Sequence, residues 1–544
     1  MTSAEHGRAP HNEIDVFPLP EDVSVERDVG LTMEDGVRLS ANVFRSRQAR
    51  APQPVILALT PYGKDMHPGR IRDDMVGQRA QAGLGMGRYR VSECTPFEAP
   101  DPAYWVQHGY VVVHVDVRGC GKSQGERKVF SRREISDYSQ IIVWSGTQPW
   151  SSGKVALHGV SYLAICQWYA AVNPPPQLVA IVPWEGASDS YRDVRFHGGV
   201  PETAFFRGWS RKMAGAQGDA QQGPSRTPVI SEVPGNRAEL EAIVVPALIC
   251  GSFSDQGLHT KGCFDAFMRI GSQHKWLFTH GRGKWTVYYE EEALEYQRQF
   301  LDHFLKGEDN GMLERPRVRL EVRRTLDEYD VREEADWPLP GTDYRELYLS
   351  ARGLSAELPG QVDTLSYDGV ASESVVFDHR FDAACEITGQ MRLKLWVSTD
   401  RGDDMDLFIA LKKLDSSGAE VPFEGRENDT RGPVSNGWLR VSHRALDPVR
   451  SRPFQPVLTH EQVQLIEPGL IVPVEIEILP SSTAFAAGET LRLVISGADI
   501  YSHAMLHHRE RCNQGRHTLH LGGGYASSLL VPFIPARRPL TSSM

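Results

Sequence analysis

The chain has 544 residues, of which 40% are hydrophobic and 24% are charged; this is a globular composition in a chain too long for one hydrophobic core, so we expect two or three domains. Its net charge of −11 argues against nucleic acid as a partner, and the absence of a secretory pattern or of an apolar run of about 18 residues argues against export and a membrane span. Seven cysteines without a C-x-x-C pair favour reduced thiols, so we expect a cytoplasmic protein without disulfides or a metal.

The first 310 residues have the pattern of an α/β domain. Residues 22–45 alternate apolar and polar side chains around a turn, as a hairpin does. Short, mostly apolar runs follow, which predict strands buried on both faces of a parallel sheet, and helix-like stretches separate them. The runs are residues 54–60, 110–116, 154–158, 179–184, 245–251 and 275–280, and the clearest helical stretches are 134–147 and 290–306.

Two changes of pattern divide the chain further. Residues 189–240 are polar and Gly-rich with aromatic islands, which predicts a cap inserted between two strands of the sheet. Turn-forming and charged residues at 306–316 predict a domain boundary, beyond which the strand period of two dominates. We therefore predict an α/β core in residues 1–188 and 241–310, a cap in 189–240 and a β-sandwich of jelly-roll type in 317–544.

Ser161 is predicted to stand on a sharp turn between a strand and a helix. The apolar strand before it runs into Gly159, and the residues after it continue as a helix. A serine on such a turn projects from the sheet, where its hydroxyl can meet a base and a substrate. Leu163 occupies the last glycine position of the usual G-x-S-x-G motif, so an ordinary serine in a βα turn is the alternative interpretation.

A serine nucleophile needs a histidine that takes its proton and a carboxylate that orients the histidine. In α/β hydrolases these groups follow sheet strands in the chain order Ser, Asp, His. Asp255 lies after the fifth predicted strand and His280 ends the sixth, so we predict a triad of Ser161, His280 and Asp255. The candidates that this order disfavours are Asp265, His259 and His274.

Acyl transfer also needs donors for the oxyanion that develops on the substrate. The backbone N–H of Tyr162, the residue after the serine, is one expected donor, and the phenol of Tyr62 in an early loop is the other. Four aromatic residues could line an acyl or alcohol pocket, although packing between cap and core would explain them equally well. They are Tyr162, Phe205, Trp209 and Trp285.

Motifs along nearly the whole chain resemble the cocaine esterase and X-Pro dipeptidyl-peptidase (CocE/NonD) family of serine hydrolases, which also includes α-amino-acid ester hydrolases and glutaryl acylases. The residues that carry the resemblance are Met33-Glu-Asp-Gly-Val-Arg-Leu39, Thr60-Pro-Tyr-Gly-Lys64, Asp116-Val-Arg-Gly-Cys-Gly-Lys-Ser-Gln-Gly-Glu126, Gln148-Pro-Trp150, Gly159-Val-Ser-Tyr162, Phe300-Leu-Asp-His-Phe-Leu-Lys-Gly307 and Gly437-Trp-Leu-Arg-Val-Ser-His-Arg444.

The resemblance implies an α/β-hydrolase domain with an inserted helical cap, a C-terminal jelly roll and acyl transfer through a covalent serine ester, without a cofactor. It assigns the nucleophile to Ser161, the acid to Asp255 and an oxyanion donor to Tyr62. The chain departs from the family pattern at Ala164, where Gly is common. It departs again at the histidine, which relatives place at the end of Gly-Pro-Trp-x-His and which here corresponds to His280.

We therefore expect a serine hydrolase that acts on a small-molecule ester or amide, with esters favoured because their leaving groups need less protonation; a homo-oligomer stays open. An Xaa-Pro dipeptidyl-peptidase is an alternative, and it would need carboxylates such as Glu185, Asp189 or Asp193 to anchor the amino terminus of a peptide. A further alternative is a carbohydrate-binding protein in which the jelly roll binds sugar and the hydrolase half is an inactive scaffold.

Overall fold

The computed structural model describes residues 12–68, 85–214, 227–232, 237–371, 373–426, 429–501 and 503–535. In the first half, strands and helices alternate. The strands there are β1 (Asn12–Phe17), β2 (Val23–Thr32), β3 (Arg38–Ser46), β4 (Gln53–Thr60), β5 (Gly87–Ser92), β6 (Val111–Asp116), β7 (Ser151–Val160), β8 (Leu178–Trp184), β9 (Phe196–His197), β10 (Val200–Pro201), β11 (Ala247–Ser252), β12 (Lys275–His280), β13 (Val318–Arg323) and β14 (Tyr329–Glu334). The α-helices are α1 (Pro102–Gln107), α2 (Arg132–Gly146), α3 (Tyr162–Val172), α4 (Phe205–Ala214), α5 (Thr260–Arg269), α6 (Lys284–Tyr288) and α7 (Glu291–Leu301).

One sheet organises this half, with the spatial order β2, β3, β6, β4, β7, β8, β11, β12, β13, β14. Neighbours are parallel from β6 to β13 and antiparallel at both ends. Strand β6 is buried along its whole length, because helices cover both faces of the sheet and Val-rich strands suit that environment. The α/β-hydrolase fold expected from the sequence is confirmed.

The second half consists of two facing sheets. Its strands are β15 (Asp343–Ser350), β16 (Gly353–Ser355), β17 (Asp363–Asp368), β18 (Ser374–Arg380), β19 (Cys385–Thr399), β20 (Asp406–Leu414), β21 (Glu420–Val421), β22 (Ser435–Arg440), β23 (Val472–Phe485), β24 (Thr490–Ser496), β25 (Arg516–Leu521) and β26 (Ser528–Ile534). One sheet joins β18, β24, β20, β21 and β22, and in the other β19 pairs with β23, β25 and β26. Alternate side chains such as Leu393, Leu411 and Leu493 form the buried core between them.

Strand β13 connects the two halves. It pairs in parallel with β12, where Leu277 faces Val318, and it meets β23 of the sandwich at Arg323 and Thr483. The hydrolase sheet therefore continues beyond residue 310, into the segment that the sequence pattern assigned to the sandwich.

The predicted cap segment contains β9, β10 and α4 in its described part. The Gly-rich stretch 215–224, on which part of that prediction rested, lies outside the described residues. None of the helices in the described ranges combines the length and the hydrophobicity that crossing a membrane requires.

Candidate active site

Ser161 occupies a strained turn between β7 and α3. Its backbone angles are φ 58° and ψ −115°, a region that L-residues other than glycine rarely adopt. The Ser161 N–H donates to the carbonyl oxygens of Trp184 and Glu185, both at 3.1 Å, which ties the turn to the end of β8. The sharp turn predicted from the sequence is therefore present, and it holds the serine at the carboxyl edge of the sheet.

The histidine that contacts the serine is His259. Its Nε2 lies 3.2 Å from Ser161 Oγ, and its Nδ1 lies 2.5 Å from Asp255 Oδ2. Asp255 stands in the loop after β11, and His259 immediately precedes α5, so one loop delivers both groups. All three side chains are buried, and they form the hydrogen-bonded chain serine, histidine, carboxylate that acyl transfer requires.

His280 does not belong to this arrangement, so the prediction that it is the base is wrong. It is the last residue of β12, its side chain is fully buried, and its Nε2 lies 2.9 Å from Glu185 Oε1. Its ring stacks on Trp184 at a centroid distance of 6.4 Å. Burial lowers the pKa of His280 to about 3, so this imidazole is a neutral core group.

Lys284, at the start of α6 after β12, contacts Asp255. Its Nζ lies 3.2 Å from Asp255 Oδ2, the same oxygen that His259 contacts. The order Ser, Asp, His still holds along the chain, but the histidine follows the acid by four residues instead of following the next strand. The Asp-x-x-x-His spacing at the start of α5 was the one sequence signal for His259.

The charges around Asp255 favour its ionised form. Burial alone would raise the pKa of Asp255, but Lys284, His259 and Arg426 outweigh it and hold that pKa well below its usual range. For His259, burial lowers the pKa, and the Lys284 and Arg426 cations add to this effect while Asp255 opposes it. The imidazole is therefore neutral, as a general base must be, over the neutral pH range.

Tyr162 begins α3, so its backbone N–H has no acceptor within the helix and faces the region of Ser161. Its hydroxyl donates to Glu134 Oε1 at 2.6 Å and lies 2.9 Å from the Tyr138 hydroxyl, which fixes the ring. Tyr62 packs edge-on against Tyr162 with ring centroids 6.5 Å apart. Both residues predicted as oxyanion donors therefore lie beside the turn, and their roles stay predictions.

A cavity opens at Ser161. Of the four predicted wall residues, Tyr162, Phe205 and Trp209 line it and Trp285 does not. Trp285 is a core residue, 1% exposed, whose ring packs on Phe97 and whose Nε1 donates to Glu98. The other lining residues are mostly apolar and come from several separate segments; besides Ser161 they are Phe130, Ile165, Tyr169, Ala187, Ser190, Val194, Phe206, Leu258 and His259.

None of the described residues that line this cavity carries a carboxylate. The three acids considered as peptide anchors have other surroundings. Glu185 is fully buried beside His280, and Asp189 pairs with Arg192 at 2.6 Å. Asp193 accepts the backbone N–H groups of Ser188 and Asp189. None of the three acids lines the cavity at Ser161.

Two buried groups of three side chains bring potential metal ligands within 4.8 Å of one another, and both include Glu185. One of them joins Glu185 with Cys250 and His280, and burial raises the pKa of the Cys250 thiol well above its ordinary value, which opposes a thiolate ligand. The other uses Asp255 and His259, which already bind each other. Neither group supports a metal assignment.

Comparison with known proteins identifies the family to which this chain belongs. Residues 35–232 match the X-Pro dipeptidyl-peptidase (S15) family, and residues 310–530 match the X-Pro dipeptidyl-peptidase C-terminal non-catalytic domain. A cocaine esterase from a Rhodococcus species (strain MB1 Bresler) is 26% identical over 88% of this chain and 91% of its own length.

Solved structures extend the comparison. A CocE/NonD family hydrolase from Staphylococcus aureus superimposes with a TM-score of 0.88 and is 39% identical, with 94% of each chain covered. An α-amino acid ester hydrolase shares the fold with a TM-score of 0.68 and is 15% identical in sequence. The match covers 94% of this chain and 97% of the hydrolase. The chain therefore belongs to the CocE/NonD family, and it is a serine hydrolase.

Proposed function

We propose that Ser161 is the nucleophile, His259 the general base and Asp255 the residue that orients His259. The observation that carries the proposal is the continuous chain of contacts from Ser161 Oγ through His259 to Asp255 Oδ2. It is supported by the strained backbone of Ser161, which is typical of a nucleophile elbow.

The reaction follows from these positions. His259 Nε2 takes the proton of Ser161 as its oxygen attacks the substrate carbonyl, and the Tyr162 N–H and the Tyr62 hydroxyl stabilise the oxyanion. When the intermediate collapses, His259 gives the proton to the leaving alkoxide or amine, and the acyl group stays on Ser161. Water then loses a proton to His259 as it attacks the acyl-enzyme, and His259 returns this proton to Ser161 Oγ when the acid is released.

We propose that the protein is an esterase whose preferred substrates carry an uncharged, apolar acyl or alcohol group. The cavity at Ser161 is lined by apolar and aromatic side chains such as Phe205, Phe206 and Trp209, which suit an apolar group. A dipeptidyl-peptidase would bind an ammonium group, for which the described cavity walls offer no carboxylate.

Fluorophosphonate labelling followed by peptide mass spectrometry tests the nucleophile. We expect one covalent adduct, on Ser161, and none in Ser161→Ala. An unlabelled wild-type protein would support the inactive scaffold instead.

A panel of p-nitrophenyl acyl esters compared with Xaa-Pro-p-nitroanilides then tests the substrate class. Faster turnover of the anilides would favour the peptidase.

A further inference from the structure

A groove between the hydrolase domain and the jelly roll approaches the triad from the side of Asp255. Its walls come from the loop after β11, from β20 and β22, and from residues 499–501, 503 and 506. Arg426 of the jelly roll lines this groove, although only 4% of the residue is exposed. A basic side chain is thus buried at a cavity that the proposed reaction does not use.

The guanidinium of Arg426 is not hydrogen-bonded within the described part of the chain. None of its three nitrogen atoms has an acceptor there. Asp255 Oδ1, 3.8 Å from Nε, forms an ion pair with Arg426 but is too distant to accept a hydrogen bond from it. One face of the guanidinium rests on the Phe205 ring at 4.6 Å. A buried charge without hydrogen bonds is costly, so these donors are suited to a ligand.

The acids that line the groove have other partners. Asp499 accepts the Nδ1–H of His508 at 2.7 Å, and Asp429 pairs with Arg431 at 3.0 Å. Burial raises the pKa of Glu424 to about 7, which weakens it as an anion at neutral pH. None of these three carboxylates is within salt-bridge distance of Arg426.

We propose that this groove binds a monocarboxylate through the Arg426 guanidinium. The two oxygens of a carboxylate match the paired N–H groups of an arginine. Phe253, Phe408, Trp438 and Leu506 lie along the same groove and offer apolar contact to a short chain attached to the carboxylate. The ligand class is therefore a small carboxylic acid with an apolar stem.

Calorimetric titration of the full chain with sodium propionate, at constant ionic strength, tests the site. The Ser161→Ala variant is used as the background, so that the result does not depend on the proposed nucleophile. We expect saturable binding that falls about tenfold or more in Arg426→Gln, as the loss of charge-assisted hydrogen bonds implies. Arg431→Gln is the matched control, because Arg431 lines the same groove but is exposed and paired with Asp429.

Three results would overturn the proposal. They are the absence of saturable propionate binding, equal binding by Arg426→Gln, and equal binding of propionamide, the neutral analogue. Arg426→Lys guards against a folding defect, because it keeps the charge and loses the planar pair of donors. We expect it to bind propionate more weakly than the background protein and to retain the same unfolding midpoint.

A carboxylate could reach Arg426 as a free acid or as part of a substrate. Hydrolysis of ω-carboxy acyl p-nitrophenyl esters, compared with methyl-terminated esters of equal length, separates the two sources in protein with an intact Ser161. Because Arg426 also acts on the charge of Asp255, the ratio of the two ester series is the readout and not the rate of either one. If the substrate carries the group, Arg426→Gln lowers kcat/KM more for the carboxy esters than for the methyl-terminated esters. If the ligand is a free acid, the variant loses propionate binding and changes kcat/KM of both ester series by the same factor.

Discussion

Three residues separate Asp255 from His259, the histidine that it binds. His259 reaches both Asp255 and Ser161 because it stands at the start of α5, where the chain turns back over the edge of the sheet. A histidine at the end of β12 cannot reach the serine in the same way, because its side chain is buried between β12 and the end of β8. This is why His280 contacts Trp184 and Glu185 instead of the serine.

Tyr62 offers a direct test of the oxyanion site. Removing its hydroxyl in Tyr62→Phe should lower kcat by about 10²- to 10³-fold while KM changes little, because the hydroxyl is proposed to act on the oxyanion and not on the ground-state substrate. Steady-state kinetics on a p-nitrophenyl ester checks this. An unchanged kcat would remove Tyr62 from the mechanism, and the fold of the variant is verified by its unfolding midpoint.

Glu134 links the turn at Ser161 to pH-dependent stability. Burial raises its pKa to about 7, even though Tyr162 donates a hydrogen bond to it. A raised pKa means that the native state keeps a proton that the unfolded chain releases above about pH 4.5. Stability from this group is therefore complete below that pH and is lost as the pH rises to about 7, by on the order of 3 kcal/mol.

Glu134→Gln removes this titration. The free energy of unfolding of the wild type, measured relative to the variant in urea at pH 5 and pH 8, should fall as the pH rises. The comparison isolates one carboxyl group, because the other titrating groups are common to both proteins. Parallel pH profiles for the two proteins would show that Glu134 has an ordinary pKa.

The turn between β7 and α3 depends on the absence of a side chain at Gly159. Its φ is +142°, and a Cβ there would come within 2.5 Å of Leu163 Cβ. Leu163 stands at the last position of the motif, where G-x-S-x-G has a small residue, and the absence of a side chain at 159 makes room for it. The incomplete motif is therefore compatible with a complete elbow.

Gly159→Ala should destabilise the protein by about 1–3 kcal/mol and slow fluorophosphonate labelling of Ser161, because the clash displaces the start of α3. Gly153→Ala in the same strand is the control. Gly153 also has a positive φ, but a Cβ there meets nothing within 4 Å. We expect the control to label at the wild-type rate. Equal effects of both substitutions on labelling would contradict the role of close packing.

The strands of the sheet could be predicted because strands buried on both faces have continuous apolar sequences. Strand β12 was predicted at 275–280 and is observed at Lys275–His280, and β6 differs by one residue. The site was harder, because which side chain of a loop turns toward Ser161 depends on tertiary contacts. The prediction was right to bring Asp255 to the site and wrong for His280 and Trp285, both of which lie in the core.

Hydrogen bonds join the hydrolase half to the jelly roll. Arg323 of β13 donates to Val434 O at 2.9 Å and to Ser481 Oγ at 2.8 Å in the jelly roll. Gln256, which follows Asp255 in the sequence, accepts the backbone N–H of Asn436 on its Oε1 at 2.7 Å. The jelly roll therefore supports the loop that carries Asp255 and His259.

We expect the two halves to unfold together. In urea, the transition followed by tryptophan fluorescence should coincide with the loss of fluorophosphonate labelling, because unfolding of the jelly roll removes contacts that hold the Asp255 loop. Labelling that survives a first, separate fluorescence transition would show that the hydrolase half is independent.

His259, and not His280, is the residue that we propose to activate Ser161. The most direct test is the single-turnover rate of acylation by p-nitrophenyl acetate in His259→Asn and His280→Asn. We expect a loss of at least about 10³-fold for His259→Asn with an unchanged unfolding midpoint, and a loss within about tenfold for His280→Asn with a lower midpoint. The reverse order of the two acylation rates would contradict the account.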